Sequence, residues 1–137
     1  KKKKNALVNR GLIHESQQNY SAAIADYKKA IEIEPDFWLP YNNLAYLLAG
    51  CEQAEIRDGA QALKYAQQSF DLLPTKYWVN YAALAVAFAE SGQFKEAADM
   101  QRQASELAPE SQKVEANRRW SLFNKGEPYR RAPENDY

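Results

Sequence analysis

Three segments of this chain superpose without a gap and stop at the same residue type: 23–35, 62–74 and 97–109. Each opens on an alanine (Ala23, Ala62, Ala97) and carries a small residue seven positions on (Ala30, Ser69, Ala104). Each has an aliphatic residue two before its end (Ile33, Leu72, Leu107) and finishes on proline (Pro35, Pro74, Pro109). A unit that recurs at this spacing cannot bury its apolar face alone. It stacks on its neighbours, which predicts a solenoid. Such an array works through its surface rather than through an enclosed catalytic pocket.

Reading back from each proline gives a pair of helices. The expected pairs are 6–17 with 20–34, 37–49 with 59–73, and 77–90 with 94–108. The first member of each pair is termed helix A and the second helix B. Apolar residues recur at three- and four-residue spacing, as at Tyr81, Leu84, Ala85 and Phe88, which is the helix signature. No stretch alternates with period two. Gly92 and the polar Gln18-Asn19 mark turns inside the third and first pairs. The three prolines stop the B helices, because proline removes a donor and clashes with the preceding turn.

The prolines are 39 residues apart in the first interval and 35 in the second. The excess lies between the two helices of the middle pair, near 50–57, and reads as a longer loop or an extra turn. Asp58 follows as an N-cap, with Gln61 three residues later completing a capping-box pattern. Insertions of this kind gather on one face of a repeat array, sometimes the binding face. After Pro109 one more amphipathic segment, 111–125, offers Val114, Trp120, Leu122 and Phe123 on one side and Arg118, Arg119 and Lys125 on the other. A terminal helix there covers the open apolar face of the last pair. The expected organisation is three tandem units over 1–109 (about 4–37, 38–76 and 77–109), a covering helix over 110–125 and a polar tail over 126–137, poorly ordered past Arg131.

Charge narrows the functional classes. Eighteen basic residues balance eighteen acidic ones, which argues against a polyanion-binding surface and so against nucleic acid as a partner. The one charge run, at residues 1–4, reads as a solvated helix start. No apolar stretch approaches the length of a membrane span, so no membrane partner is expected. No signal peptide is visible, and the abrupt start predicts a fragment of a longer protein. A lone Cys51 forms no intrachain disulfide and fits a reducing compartment, cytoplasmic rather than secreted.

These residues resemble the tetratricopeptide repeat, with its pattern W-x2-L-G-x2-Y, then A-x3-F, then P. The first unit reads Leu7, Arg10, Gly11, His14, then Ala23, Tyr27, Ala30 and Pro35. The second reads Tyr41, Leu44, Ala45, Leu48, then Ala62, Ala66, Ser69 and Pro74; the third reads Tyr81, Leu84, Ala85, Phe88, then Ala97, Gln101, Ala104 and Pro109. Arg10, Ala66 and Gln101 depart from the usual aliphatic or aromatic residue at their positions. Segments 42–51 and 57–59, with the ending 126–130, are also similar to the longer middle repeat and the close of bacterial arrays that form the C-terminal part of multidomain proteins. The resemblance implies an all-α, right-handed solenoid of helical hairpins. Gly11, Ala45 and Ala85 should let each A helix approach its B helix, where a bulkier residue would overpack by about 1–3 kcal/mol. Leu7, Tyr27, Tyr41, Leu44, Tyr81, Leu84 and Phe88 should fill the space between pairs.

The resemblance also implies that the A helices line a concave face. The groove positions it gives here are Val8, Leu12 and Glu15; Leu39, Asn42, Asn43 and Tyr46; and Val79, Ala82, Ala83, Val86 and Ala89. Relatives that clamp a terminal carboxylate place cations at such positions, and this set holds none. The predicted groove is apolar with an asparagine pair, suited to an amphipathic helix or a peptide backbone. It would equally suit another copy of the chain, in which case Val86→Glu should abolish self-association. His14 occupies a packing position. No nucleophile motif, phosphate loop or metal-ligand spacing is present, so neither an enzyme nor a cofactor is expected.

Overall fold

The structure, a computed structural model, describes residues 2–132, with side chains from residue 3 onward. The expectation of disorder past Arg131 falls, beyond residue 132, outside the described residues. Seven helices carry the fold: α1 (Lys2–Ser16), α2 (Tyr20–Ile33), α3 (Trp38–Gly50), α4 (Gly59–Leu72), α5 (Trp78–Glu90), α6 (Phe94–Leu107) and α7 (Glu110–Asn124). Among the described residues there is no strand. Helices α1/α2, α3/α4 and α5/α6 form three hairpins, so α1, α3 and α5 are the A helices. Helix α5 packs on both α3 and α4, α2 packs on α3, and α7 packs on α6. This is an all-α helical repeat solenoid.

The packing follows from residue size. A Cβ added at Gly11 would lie 2.6 Å from Cε1 of Tyr27, so the tyrosine ring fills the room that glycine leaves. Ala23, Ala45, Ala62, Ala85 and Ala97 have no exposed surface and let the helix backbones approach. Leu44, Leu84, Tyr41 and Tyr27 are buried, with Leu7 and Phe88 packed against the core. Tyr27, however, fills the space inside its own hairpin against Gly11, and Tyr41 meets Tyr65 of its own hairpin, not the space between pairs expected of them.

Two departures from the pattern have structural explanations. Arg10 reaches across its hairpin to Asp26 with two 2.8 Å hydrogen bonds, a forked pairing that a smaller or aliphatic residue could not make. Gln101 is buried and donates through Nε2 to the Ala116 carbonyl at 3.1 Å, tying α6 to α7.

The turns obey backbone chemistry. Gly92 has φ 80° in the third hairpin, and Gln18, at the same place in the first, has φ 60°. Pro40 sits in the first turn of α3, where a missing N–H is harmless. Asp58 caps α4 by accepting from the Gln61 amide at 3.1 Å, which is the first half of the expected capping box. The 51–58 connection is tied down: the Asp58 amide donates to the Leu48 carbonyl at 2.8 Å, and Arg57 Nη1 to the Cys51 carbonyl at 2.7 Å.

Candidate functional site

The A helices and α7 share one face, and a cleft of about 300 Å³ opens on it. Leu39, Asn42, Asn43 and Tyr46 of α3, Trp78 and Val79 of α5, and Arg119 of α7 line this cleft. Its wall is therefore partly apolar and partly hydrogen-bonding. Asn43 is half-buried and makes no side-chain hydrogen bond among the described residues, so its amide faces the cleft with both donor and acceptor free.

Asn42 has a different role. It is 4 % exposed, and its Nδ2 donates to the Val79 carbonyl at 3.3 Å. Its Oδ1 accepts from Asn80 Nδ2 at 3.4 Å and lies 3.4 Å from Ser69 Oγ. Asn80, also buried, accepts the Tyr77 amide at 2.8 Å. Asn42 is thus a polar node joining α3, α4 and α5, and most of its hydrogen-bonding capacity is committed inside the protein.

The other groove positions separate in the same way. Val8, Ala82, Ala83, Val86 and Ala89 are buried. Val86 is 1 % exposed, so Val86→Glu would place a charge in the core and report on folding rather than on self-association. Leu12 is exposed. Glu15 accepts from the Tyr27 hydroxyl and from Arg131 Nη2, the latter at 2.7 Å.

That last contact comes from the segment expected as a polar tail. Gly126, with φ 77°, reverses the chain after α7, and the Glu127 amide closes the turn on the Leu122 carbonyl at 2.9 Å. Residues 127–131 then run back across the A helices. The Tyr129 ring lies over Gly50, where a Cβ would sit 2.7 Å from two of its carbons. It meets Tyr46 edge-on at 6.1 Å, with the Arg119 guanidinium 4.2 Å from its centre. Arg130 Nη1 donates to Glu90 at 2.6 Å, and the Arg131 amide donates to the Gly50 carbonyl at 2.7 Å. Arg57, from the 51–58 connection, approaches the same Glu90 at 3.4 Å.

The charges are balanced locally. Arg119 Nη1 donates to the Tyr46 hydroxyl, while its Nε is buried without a hydrogen bond, 3.5 Å from Glu115. Burial pushes the Tyr46 phenol up, and Arg119 pulls it the other way. The hydrogen bond from Arg118 holds Glu115 below its ordinary value, with Arg119 assisting. Burial would lower the Arg131 pKa, but the charge and hydrogen bond of Glu15 more than offset it. Burial also raises the Cys51 thiol, which is an unreactive setting. His14 lies half-buried with Nε2 3.6 Å from Asp26. Among the described residues no group of three His, Cys, Asp or Glu side chains could hold a metal, and no helix is long and apolar enough to cross a membrane.

Sequence reasoning missed Trp78, Arg119, Tyr129, Arg130 and Arg131 on this face. The only signals were Gly50, a small residue at a helix end, and the ending 126–130.

Three matches to models described as tetratricopeptide repeat fall on residues 5–37, 26–59 and 80–111. The first and third coincide with the α1/α2 and α5/α6 hairpins. The second runs from α2 through α3 and stops at Gly59, past the 51–58 connection that stretches the repeat spacing. No curated protein matches the chain. Repeats of this kind generally mediate protein–protein interaction. The matches together cover more than half of the chain, which belongs to the tetratricopeptide repeat family.

Proposed function

We propose that the chain is a protein-interaction scaffold that receives a peptide segment of a partner in the cleft between α3, α5 and α7. The observation that carries this reading is the pairing of a free Asn43 amide with an apolar wall of Leu39, Trp78 and Val79 in one cleft. Asparagine can satisfy a bound backbone at both its donor and its acceptor. The apolar wall supplies area-dependent affinity, while Arg119, engaged by Tyr46 and Glu115, fixes the α7 side of the cleft. The likeness of 42–51, 57–59 and 126–130 to bacterial C-terminal arrays supports a module of a larger bacterial protein.

The test is selection of peptides from a random displayed library on the immobilised chain, followed by titration against Asn43→Ala and Val79→Ala. The expected result is a loss of about tenfold or more in affinity for each variant, with unchanged melting. Selected peptides that bind both variants as well as the parent would place recognition elsewhere. Light scattering separates the competing occupant: a dimer dispersed by the same substitutions would mean that a second copy fills the cleft.

A further inference from the structure

A second feature of the A-helix face adjoins that cleft at Tyr46 and Arg119 but does not use Asn43 or Val79. Helices α1, α3 and α5 end at Ser16, Gly50 and Glu90, and the returning segment crosses these three ends. Helix C-termini carry unsatisfied carbonyls and partial negative charge, which attract cations. Glu15 and Glu90 add full negative charges beside two of those ends, and the Gly50 carbonyl is free to accept. The result is a channel whose rim carries Glu15 and Glu90, the latter shared with Arg57 at 3.4 Å, over an aromatic floor formed by Tyr46 and, under Arg131 at 5.9 Å, Tyr20.

What occupies it has the form of a bound peptide. Residues 127–131 have no secondary structure of their own. Beyond the turn bond from Glu127 to Leu122, they meet the A helices by a backbone hydrogen bond from Arg131 to Gly50 and by three side chains: Tyr129 on Gly50, Arg130 on Glu90, Arg131 on Glu15. The Arg130 and Arg131 side chains remain 35 % and 28 % exposed. Their partners are deeper, Glu90 at 15 % and Glu15 at 9 %, so the carboxylates belong to the channel wall and the guanidinium groups lie at its opening. The channel also runs on past the segment. A cavity of about 210 Å³, lined by Leu12, Glu15, Ser16, Gln18 and Tyr20 beside Arg131 and Ala132, offers further room at α1.

We infer that this channel is a recognition site for extended basic-aromatic peptides: Pro128–Arg131 fills it in cis, and a partner segment of the form proline, aromatic, arginine, arginine takes its place. Recognition rests on charge complementarity, two arginines against Glu15 and Glu90, and on a ring site shaped by the missing Cβ of Gly50. A tethered segment competes at an effective concentration near millimolar. The unmodified chain therefore admits a partner only when that segment outbids its own tail.

The test uses the full chain and one labelled peptide, Gly-Glu-Pro-Tyr-Arg-Arg-Ala, amidated at its end. In R130E/R131E the tail faces Glu15 and Glu90 with like charge and leaves the channel open. The peptide should bind this variant about tenfold or more tighter than it binds the unmodified chain, by fluorescence anisotropy. A peptide with glutamate for both arginines should not bind, and adding Gly50→Val should abolish binding by filling the Tyr129 site. Should R130E/R131E lose its helical circular dichroism, Tyr129→Ala takes its place with the same criterion. Equal binding to the variant and the unmodified chain, or binding to neither, overturns the proposal. So does a dimer of the unmodified chain that the charge reversal disperses, since the occupant would then be a second copy's tail. These outcomes leave Asn43 and Val79 untouched, so they are separable from failure of the cleft.

Discussion

Gly11 shows how one residue sets the geometry of a hairpin. Its absent Cβ is where the Tyr27 ring sits, at 2.6 Å from the added atom. Tyr27 is fully buried and its hydroxyl is engaged by Glu15, so the ring cannot move aside freely. Gly11→Ala should therefore destabilise the protein by about 1–3 kcal/mol despite alanine's better helix propensity. Urea denaturation checks the sign, and a stabilised variant would mean that the ring relocates at no cost. Gln18 is the opposite case. It holds φ 60° where the equivalent Gly92 holds φ 80°. An L-residue is disfavoured there by roughly 1–2 kcal/mol, and glycine returns some of that as unfolded-state entropy. Gln18→Gly should raise stability by about 0.5–1 kcal/mol in the same experiment. A fall would show that contacts of the glutamine side chain outweigh the backbone term.

At the scale of elements, the helices were legible because their signals are local. Apolar periodicity, the three prolines, Gly92 and the Asp58 cap all act within a turn or two of where they lie. The site was less legible because burial depends on partners distant in sequence. Asn42 read as a ligand-facing amide, yet Ser69, Asn80 and the Val79 carbonyl, each at least 27 residues away, absorb it. The partners of Arg130 and Arg131 lie 40 and 116 residues away, beyond any local pattern. Arg10 is a case between these: its bond to Asp26 joins α1 to α2 and holds the aspartate below its ordinary value, against an opposing push from burial. A depressed carboxylate stabilises the fold above its unfolded pKa, about 3.9, and that contribution is lost as pH falls through the native value. Glu115, also depressed, acts in the same direction on α7. The melting temperature should thus decline as pH is lowered from about 6 to about 3, and Asp26→Asn should flatten that decline while lowering stability near neutrality. Parallel curves for the two proteins would remove Asp26 from this role.

For the whole molecule, the tail changes how stability is shared. In a repeat array each unit contacts only its neighbours, so loss of one contact stays local along the chain. Here Tyr129 and Arg131 connect the end of the chain to Gly50 and Glu15, so the first hairpin is held by the last segment as well as by α3. Elsewhere Lys4 of α1 pairs with Glu34, in the same repeat, and lies over the Phe37 ring just before α3 at 4.5 Å. The α5/α6 hairpin, by contrast, is packed on α3, α4 and α7 whether or not the tail is seated. Tyr129→Ala should therefore loosen the molecule unevenly. Amide hydrogen exchange should quicken in α1 and at the end of α3, while the protected amides of α5 and α6 keep their rates, because local opening reflects local contact density. Uniform quickening would mean that the tail supports the global fold. Unchanged exchange in α1 would mean that the first hairpin stands without it. The expected pattern makes the rim of the A-helix face a place where occupancy, by the tail or by a partner, sets how firmly the first repeat is held, so binding there would be felt as order in the first hairpin.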